Sequence, residues 1–372
     1  MRDDRNIKLA KNIIEYSIGL KKGEKLFISI EGEDGLPLAL ELMKLAYEIG
    51  AKPYYDIMDY RLMREMLLNA NEEQFLMWKE HDLLKMKDAD CYVGISACEN
   101  RYELSKIPIE KMQLYTKEYL TPVHLEERVK NTRWCILRYP NCALAQSSKM
   151  SMEEFEEFYY HSCNIDYYKL SKAADALVEL MNKTDKVHII GKDTDLSFSI
   201  KGIGAQKYVG KLNLPDGEVA SAPVRDSVNG YITYNTESRF NGGEFANIYF
   251  EFKDGKIVKA TSNDTEKLNK LLDIDEGARY IGEFAFGLNP YIEKPIGDVL
   301  FDEKVKGSFH FTPGECLEES DNGNHSSIHW DIVCIQTSDY GGGEIFFDDV
   351  LIRKDGEFVL DELKPLNSEN LK

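Results

Sequence analysis

Apolar and polar residues in the first sixty positions alternate in blocks that predict helix, strand, helix and strand. Lys25–Glu31, KLFISIE, reads as a short apolar strand entered from the turn Lys22-Gly23. From Pro37 to Ile49 the spacing changes. Leu38, Leu42, Leu45 and Ile49 share one face, which predicts an amphipathic helix. Gly50 stops it, and Pro53–Ile57 reads as a second strand. Further strands are expected at Cys91–Ser96 and Arg133–Arg138. Strands alternating with helices imply a mostly parallel sheet with helices on its faces.

The pattern changes near residue 183. A helical stretch from Tyr167 to Met181 runs into Asn182-Lys-Thr-Asp185, and short strands follow at Val187–Ile190, Asp195–Ile200, Tyr231–Tyr234, Ala246–Phe252 and Lys256–Thr261. Asp254-Gly255 and Asp355-Gly356 are hairpin signals. The reading is an α/β N-terminal domain over residues 1–182, then a β-rich α+β C-terminal domain over 183–372. No fixed-period repeat or low-complexity segment interrupts them.

The 372 residues carry 46 Lys and Arg against 65 Asp and Glu, a net charge of −19. So acidic a surface repels phosphate backbones, which argues against nucleic acid as a partner and is compatible with cations. No apolar run approaches the roughly 20 residues needed to cross a bilayer, so no membrane role is expected. The charged start, Met-Arg-Asp-Asp-Arg-Asn, is not followed by the apolar segment of a signal peptide. The seven cysteines, Cys91, Cys98, Cys135, Cys142, Cys163, Cys316 and Cys334, fit no zinc-ribbon spacing; they are read as reduced core residues of a cytoplasmic protein. A parallel sheet raises the question of nucleotide binding, but no phosphate loop is present. Gly202-Ile-Gly204-Ala lacks a third glycine, and Glu31-Gly-Glu-Asp-Gly35 has the wrong charge.

Five segments of the second half place ionisable residues beside turns or inside apolar runs. Glu218 leaves the turn Pro215-Asp-Gly217; by itself it reads as an exposed turn carboxylate. Glu283 interrupts the apolar run Tyr280–Phe286, where a buried carboxylate must be paired, metal-bound or protonated. Glu303 ends Leu300-Phe-Asp-Glu, which also suits a solvated acidic turn, and His310 sits between Phe309 and Phe311, where a core histidine is the plainer alternative. In Ile328-His-Trp-Asp-Ile332, a strand would turn His329 and Asp331 to one face and the apolar residues to the other. Two imidazoles with four carboxylates suit zinc, cobalt or manganese better than calcium. The four carboxylates balance two divalent ions.

In this order, the segments resemble the aminopeptidase T family, which includes AmpS and PepS. Asn213–Pro223 matches its NLPxxEV…AP segment, Gly282–Ala285 its GE(V/F)A, Leu300–Glu303 its LFDE, His310–Gly314 the start of its HxxxGxxY, and His329–Asp331 its HxD. The resemblance extends over the α/β half as well. It implies a cytoplasmic homodimer whose C-terminal domain carries a dinuclear site. The ligands would be Glu218, Glu283, Glu303, His310, His329 and Asp331, holding two divalent ions per chain drawn from Zn, Co, Mn or Mg. It implies hydrolysis of the N-terminal residue from peptides by a two-metal-bound hydroxide, with Glu218 as the proton-shuttling carboxylate. Two departures stand out: the interval from Glu303 to His310 is two residues longer than in the family's best-known members, and the family's tyrosine seven residues after the histidine is Leu317 here. The alternative is a metal-binding peptide or amino-acid binding protein with weak or lost turnover.

Overall fold

The computed structural model describes residues 3–100 and 102–372, which form two compact units: the described residues up to 164 with 210–214, and residues 165–209 with 215–372. In the first unit, β1 (Lys25–Glu31), β2 (Lys52–Met58), β3 (Cys91–Ser96) and β4 (Arg133–Arg138) join Asn213–Leu214 in a sheet ordered β2-β1-β3-β4-(213–214), parallel throughout. The parallel α/β half expected from the alternation is therefore present. Helix α1 (Leu36–Ile49) follows β1 and ends at Gly50, whose left-handed φ of 83° a glycine adopts without strain. Its buried face is Leu38, Ala39, Leu42 and Ala46; the predicted Leu45 and Ile49 lie half-buried beside it.

The expected break near residue 183 falls inside the second unit. The helix Tyr167–Lys183 packs there: Leu170 closes on Gly217, and the carbonyl of Ser171 accepts from Lys207 Nζ at 2.9 Å. The rest of this unit is β-rich, as predicted. An eight-stranded antiparallel sheet is drawn from residues 186–261 and 343–358. Asp254-Gly255 turns one of its hairpins with φ of 48° and 83°, Asp355-Gly356 another with 48° and 84°; both central residues are left-handed, as a type I′ turn requires. The strand expected over Ala246–Phe252 begins only at Tyr249, because Asn247 turns left-handed at φ 52°.

The second sheet of this unit carries the candidate chemistry. It contains β5 (Gln206–Tyr208), β6 (Glu218–Ser221), β7 (Ile281–Gly287), β8 (Ser308–Pro313) and β9 (Val333–Ile335), ordered β9-β8-β7-β6-β5 and antiparallel. Side chains alternate between its faces. One face is aromatic: Phe284 and Phe311 each lie 5.1 Å from Phe198 of the eight-stranded sheet, and Phe286 lies 6.1 Å from Phe347 and 5.8 Å from Phe358. Such pairs add roughly 0.5–1.5 kcal/mol each beyond the burial of their area, and they fix the register. With the phenylalanines turned that way, Glu283, Ala285 and Gly287 of β7 turn the other. Ala285 is flanked by Ala220 and His310, Gly287 by Glu218, and Glu283 by Thr312. Among the described residues, no helix is long and apolar enough to cross a membrane.

Candidate metal centre

The alternation of β6, β7 and β8 brings Glu218, Glu283 and His310 onto one face, and all three are buried. The His310 Nε2 lies 3.5 Å from Glu218 Oε2 and 3.4 Å from Glu283 Oε1. The other oxygen of Glu283 lies 3.1 Å from His329 Nε2, which in turn is 3.1 Å from Asp331 Oδ1. Glu283 thus joins two groupings, Glu218–Glu283–His310 and Glu283–His329–Asp331, and within each the ligand atoms lie within 4.8 Å of one another.

His329 and Asp331 arrive on an extended segment rather than the regular strand expected. A single bridge, His329 to Gly314, attaches it to the end of β8. The approach is so close that a Cβ on Gly314 would meet the carbonyl oxygen of Ile328 at 2.0 Å, and Gly314 has a φ of 107°. The predicted alternation survives. Ile328, Trp330 and Ile332 are buried on the far side, with Trp330 stacked on Phe240 and its Nε1 donating to Ser238 Oγ at 2.8 Å. Thr312 donates from Oγ1 to Asp331 Oδ1 at 2.8 Å.

These residues fit a divalent metal. Glu218 Oε2 and His310 Nδ1 are buried and, among the described residues, lack a hydrogen-bond partner, a costly state for isolated polar atoms. The donors are mixed imidazole nitrogen and carboxylate oxygen, as zinc, cobalt and manganese take. Burial works to lower the basicity of both imidazoles, yet the surrounding carboxylates overcome it: His310 is raised to about 9 and His329 to about 12. Burial pushes against Glu283 and Asp331 as carboxylates, but the two histidines hold both below the usual range. The exposed turn, solvated turn and satisfied core histidine, which the sequence left open for Glu218, Glu303 and His310, are not what the structure contains.

Glu303 follows the short helix Val299–Asp302, within electrostatic reach of Glu218, Asp331 and His310. Its Oε1 lies 2.8 Å from the ammonium of Lys304, and it belongs to neither close grouping. Lys304 itself is fully buried, 1% exposed, 2.6 Å from Glu218 Oε1 and 3.6 Å from Asp216 Oδ1. The sequence marked neither Lys304 nor Asp216: a lysine after Asp-Glu reads as solvated, and Asp216 reads as a turn residue. Burial raises the Glu218 carboxyl to about 7 and that of Glu303 to about 8, while Lys304 opposes both shifts. A separate grouping, Glu315, Cys316 and His325, lies nearer the surface. Among the described residues, no disulfide joins the seven cysteines. Five are buried, but Cys98 is half-buried and Cys142 exposed, so the core reading holds for the five.

A family model, "Thermophilic metalloprotease (M29)", matches residues 2–358. The chain belongs to this family. M29 membership makes it a metallopeptidase, a hydrolase of peptide bonds, and confirms the family named from the five motifs. Aminopeptidase T of Thermus thermophilus is 26% identical over 364 residues, 87% of each chain. In fold, the chain is similar to wild-type AmpT from Thermus thermophilus, with a TM-score of 0.77 over 96% of this chain and all of that one, at 23% identity. It is also similar to 2,5-dihydroxypyridine dioxygenase from Pseudomonas putida KT2440, with a TM-score of 0.61 over 96% of this chain and 98% of that one, at 14% identity. One fold thus carries hydrolytic and oxidative enzymes, and for an M29 chain the chemistry must be argued from the site.

Proposed function

We propose that this M29 chain is an aminopeptidase that removes the N-terminal residue from peptides, using divalent ions held by Glu218, Glu283, His310, His329 and Asp331. The observation that carries the reading is the sharing of Glu283 between two groupings on one sheet face, an arrangement suited to two ions. A bound divalent ion supplies a Lewis acid that makes water acidic near neutral pH and polarises a carbonyl oxygen. The chain's own residues do the rest. Glu218, whose Oε2 is buried and accepts no hydrogen bond among the described residues, takes the proton from water when that oxygen is not on an ion, and returns it to the leaving amine. Thr312 and the Glu315 carbonyl fix Asp331 and His329. A cavity of about 120 Å³ beside His329 and Asp331, walled by Phe240, Trp330 and Val299, receives the substrate. The excess of carboxylates meets the α-ammonium group of a free N-terminus. Cysteines outside any disulfide support a cytoplasmic location, and the edge strand β5 supports a homodimer that covers it.

Turnover of aminoacyl chromogenic substrates and their N-acetylated forms tests this. Hydrolysis is expected only with a free amino group, with loss on chelation and recovery on adding Zn, Co, Mn or Mg. Equal cleavage of the blocked substrate, or none after metal addition, overturns the reading. Leu317 favours the second reading, a metal-dependent peptide or amino-acid binder with weak turnover; that protein would bind the substrates with metal and leave them intact.

A further inference from the structure

The two groupings differ in how they are supported. At Glu283–His329–Asp331, the imidazole is set by the Glu315 carbonyl, which accepts from Nδ1 at 2.8 Å, and the aspartate by the Thr312 hydroxyl. Outer partners of this kind orient ligands and typically change metal affinity about 10–100-fold. At Glu218–Glu283–His310 that support is missing: among the described residues His310 Nδ1 has no hydrogen-bond partner, and Glu218 is shared. Its Oε1 accepts from Lys304, only Oε2 faces His310, and a fixed positive charge lies against the carboxylate.

Lys304 cannot be read as a solvated lysine. It is 1% exposed, and among the described residues its ion pairs are with Asp216, Glu218 and Glu303. A buried ammonium persists only where carboxylates compensate it, and those carboxylates in turn need it. An ammonium with carboxylate oxygens at 2.6 and 2.8 Å and a third at 3.6 Å supplies, within the fold, part of the positive charge a cluster of buried acids requires.

We propose that Lys304 is a built-in cation of the metal centre. It takes Glu303 out of the ligand set and ties one oxygen of Glu218, so the two metal positions are unequal. One divalent ion is held tightly at Glu283, His329 and Asp331; a second, at Glu218, Glu283 and His310, is held weakly and exchanges. The proposal rests on the metallopeptidase reading above and deepens it. It also accounts for the longer interval between Glu303 and His310: a carboxylate that pairs with Lys304 need not reach an ion.

The test is calorimetric titration of zinc, and separately manganese, into the metal-stripped full chain. Two binding steps at least tenfold apart in affinity are expected, in keeping with the unequal outer support. In Lys304→Met the weak step should tighten by tenfold or more, while the tight step moves less than about threefold. Metal should also restore the melting temperature of that variant toward wild type, which it would not do if Lys304 only filled space. Lys304→Met risks misfolding, so Glu303→Gln provides a second arm. Both steps should stay within about threefold of wild type, because Glu303 holds no ion; loss of a carboxylate bound to an ion would cost at least tenfold. Two equal steps in the wild type, a weak step that does not tighten in a folded Lys304→Met, or loss of a step in Glu303→Gln would overturn the proposal while leaving metal binding intact. No metal uptake by the wild type would instead remove the metallopeptidase reading, and this proposal with it.

Discussion

The Nδ1 of His329 lies 2.8 Å from the backbone carbonyl of Glu315. A carbonyl only accepts, so this nitrogen carries a proton and Nε2 is the atom turned toward Glu283 and Asp331, each 3.1 Å away. The ring is therefore aimed before any ion arrives. His329→Ala removes a ligand whose orientation the backbone already fixes, and metal affinity should fall by at least about tenfold. Titration with a fluorescent chelator competing for zinc measures this directly. Unchanged affinity would show that the imidazole holds no ion.

Glu283 is the residue on which both groupings depend, with Oε1 toward His310 and Oε2 toward His329. Glu283→Gln keeps the shape and half the acceptor capacity but removes the charge. Both metal steps should weaken together by tenfold or more, whereas His329→Ala should affect chiefly the tighter one. A Glu283→Gln protein that loses one step and keeps the other at full strength would contradict the shared position.

Much of this was legible from residue order because local rules and tertiary structure agree. The aspartate–glycine pairs turn left-handed where hairpins need it, and the alternation in Ile328–Ile332 puts His329 and Asp331 on one side although no regular strand forms. What the sequence hid depends on distant packing. Asp348 and Asp349 turn a hairpin at φ 47° and 67° with no glycine to mark it. Lys304 looks like a surface residue beside two acids, but it is buried against Glu218, which reaches it from β6, far earlier in the chain. Glu303 follows from Lys304: its expected role as a ligand could be weighed only once the ammonium had a position.

His124 gives a prediction far from the metal ligands in sequence. It lies on the wide-turned helix Thr116–Arg128, beside the rings of Tyr92 and Tyr119. Burial first, and the charge of Arg128 second, lower it from 6.5 to about 4. The folded protein thus keeps this ring neutral at pH values where the unfolded chain has already bound the proton. Stability is lost as pH falls from about 6.5 toward about 4, at up to roughly 1.4 kcal/mol per pH unit from this group. His124→Phe removes that contribution. Urea unfolding across this range should show a shallower loss for the variant than for wild type; parallel curves would mean that His124 titrates normally.

The last prediction concerns the missing phenol at position 317. Leu317 precedes the turn Glu318–Ser320, and leucine can donate no hydrogen bond to a developing oxyanion. The structure contains a phenol near the same carboxylates. Tyr208 on β5 stands directly opposite Glu218 on β6, and so on the same face as Glu283 and His310. Burial raises its hydroxyl above the ordinary range, with Glu319, Glu283 and Glu218 adding to the shift and Lys304 opposing it. Glu319 lies only two residues beyond Leu317, so Tyr208 shares the electrostatic surroundings of both that turn and the candidate centre. If Tyr208 supplies the donor, Tyr208→Phe should lower kcat on a leucyl substrate by roughly 10²-fold, the usual cost of one oxyanion donor. KM and both metal-binding steps should hardly change. Leu317→Tyr in the wild-type background should then add little, but should recover part of the loss in the Tyr208→Phe protein. A Tyr208→Phe enzyme with full kcat would remove Tyr208 from the reaction. A large gain from Leu317→Tyr alone would show that the wild-type chain lacks a donor and turns over slowly for that reason.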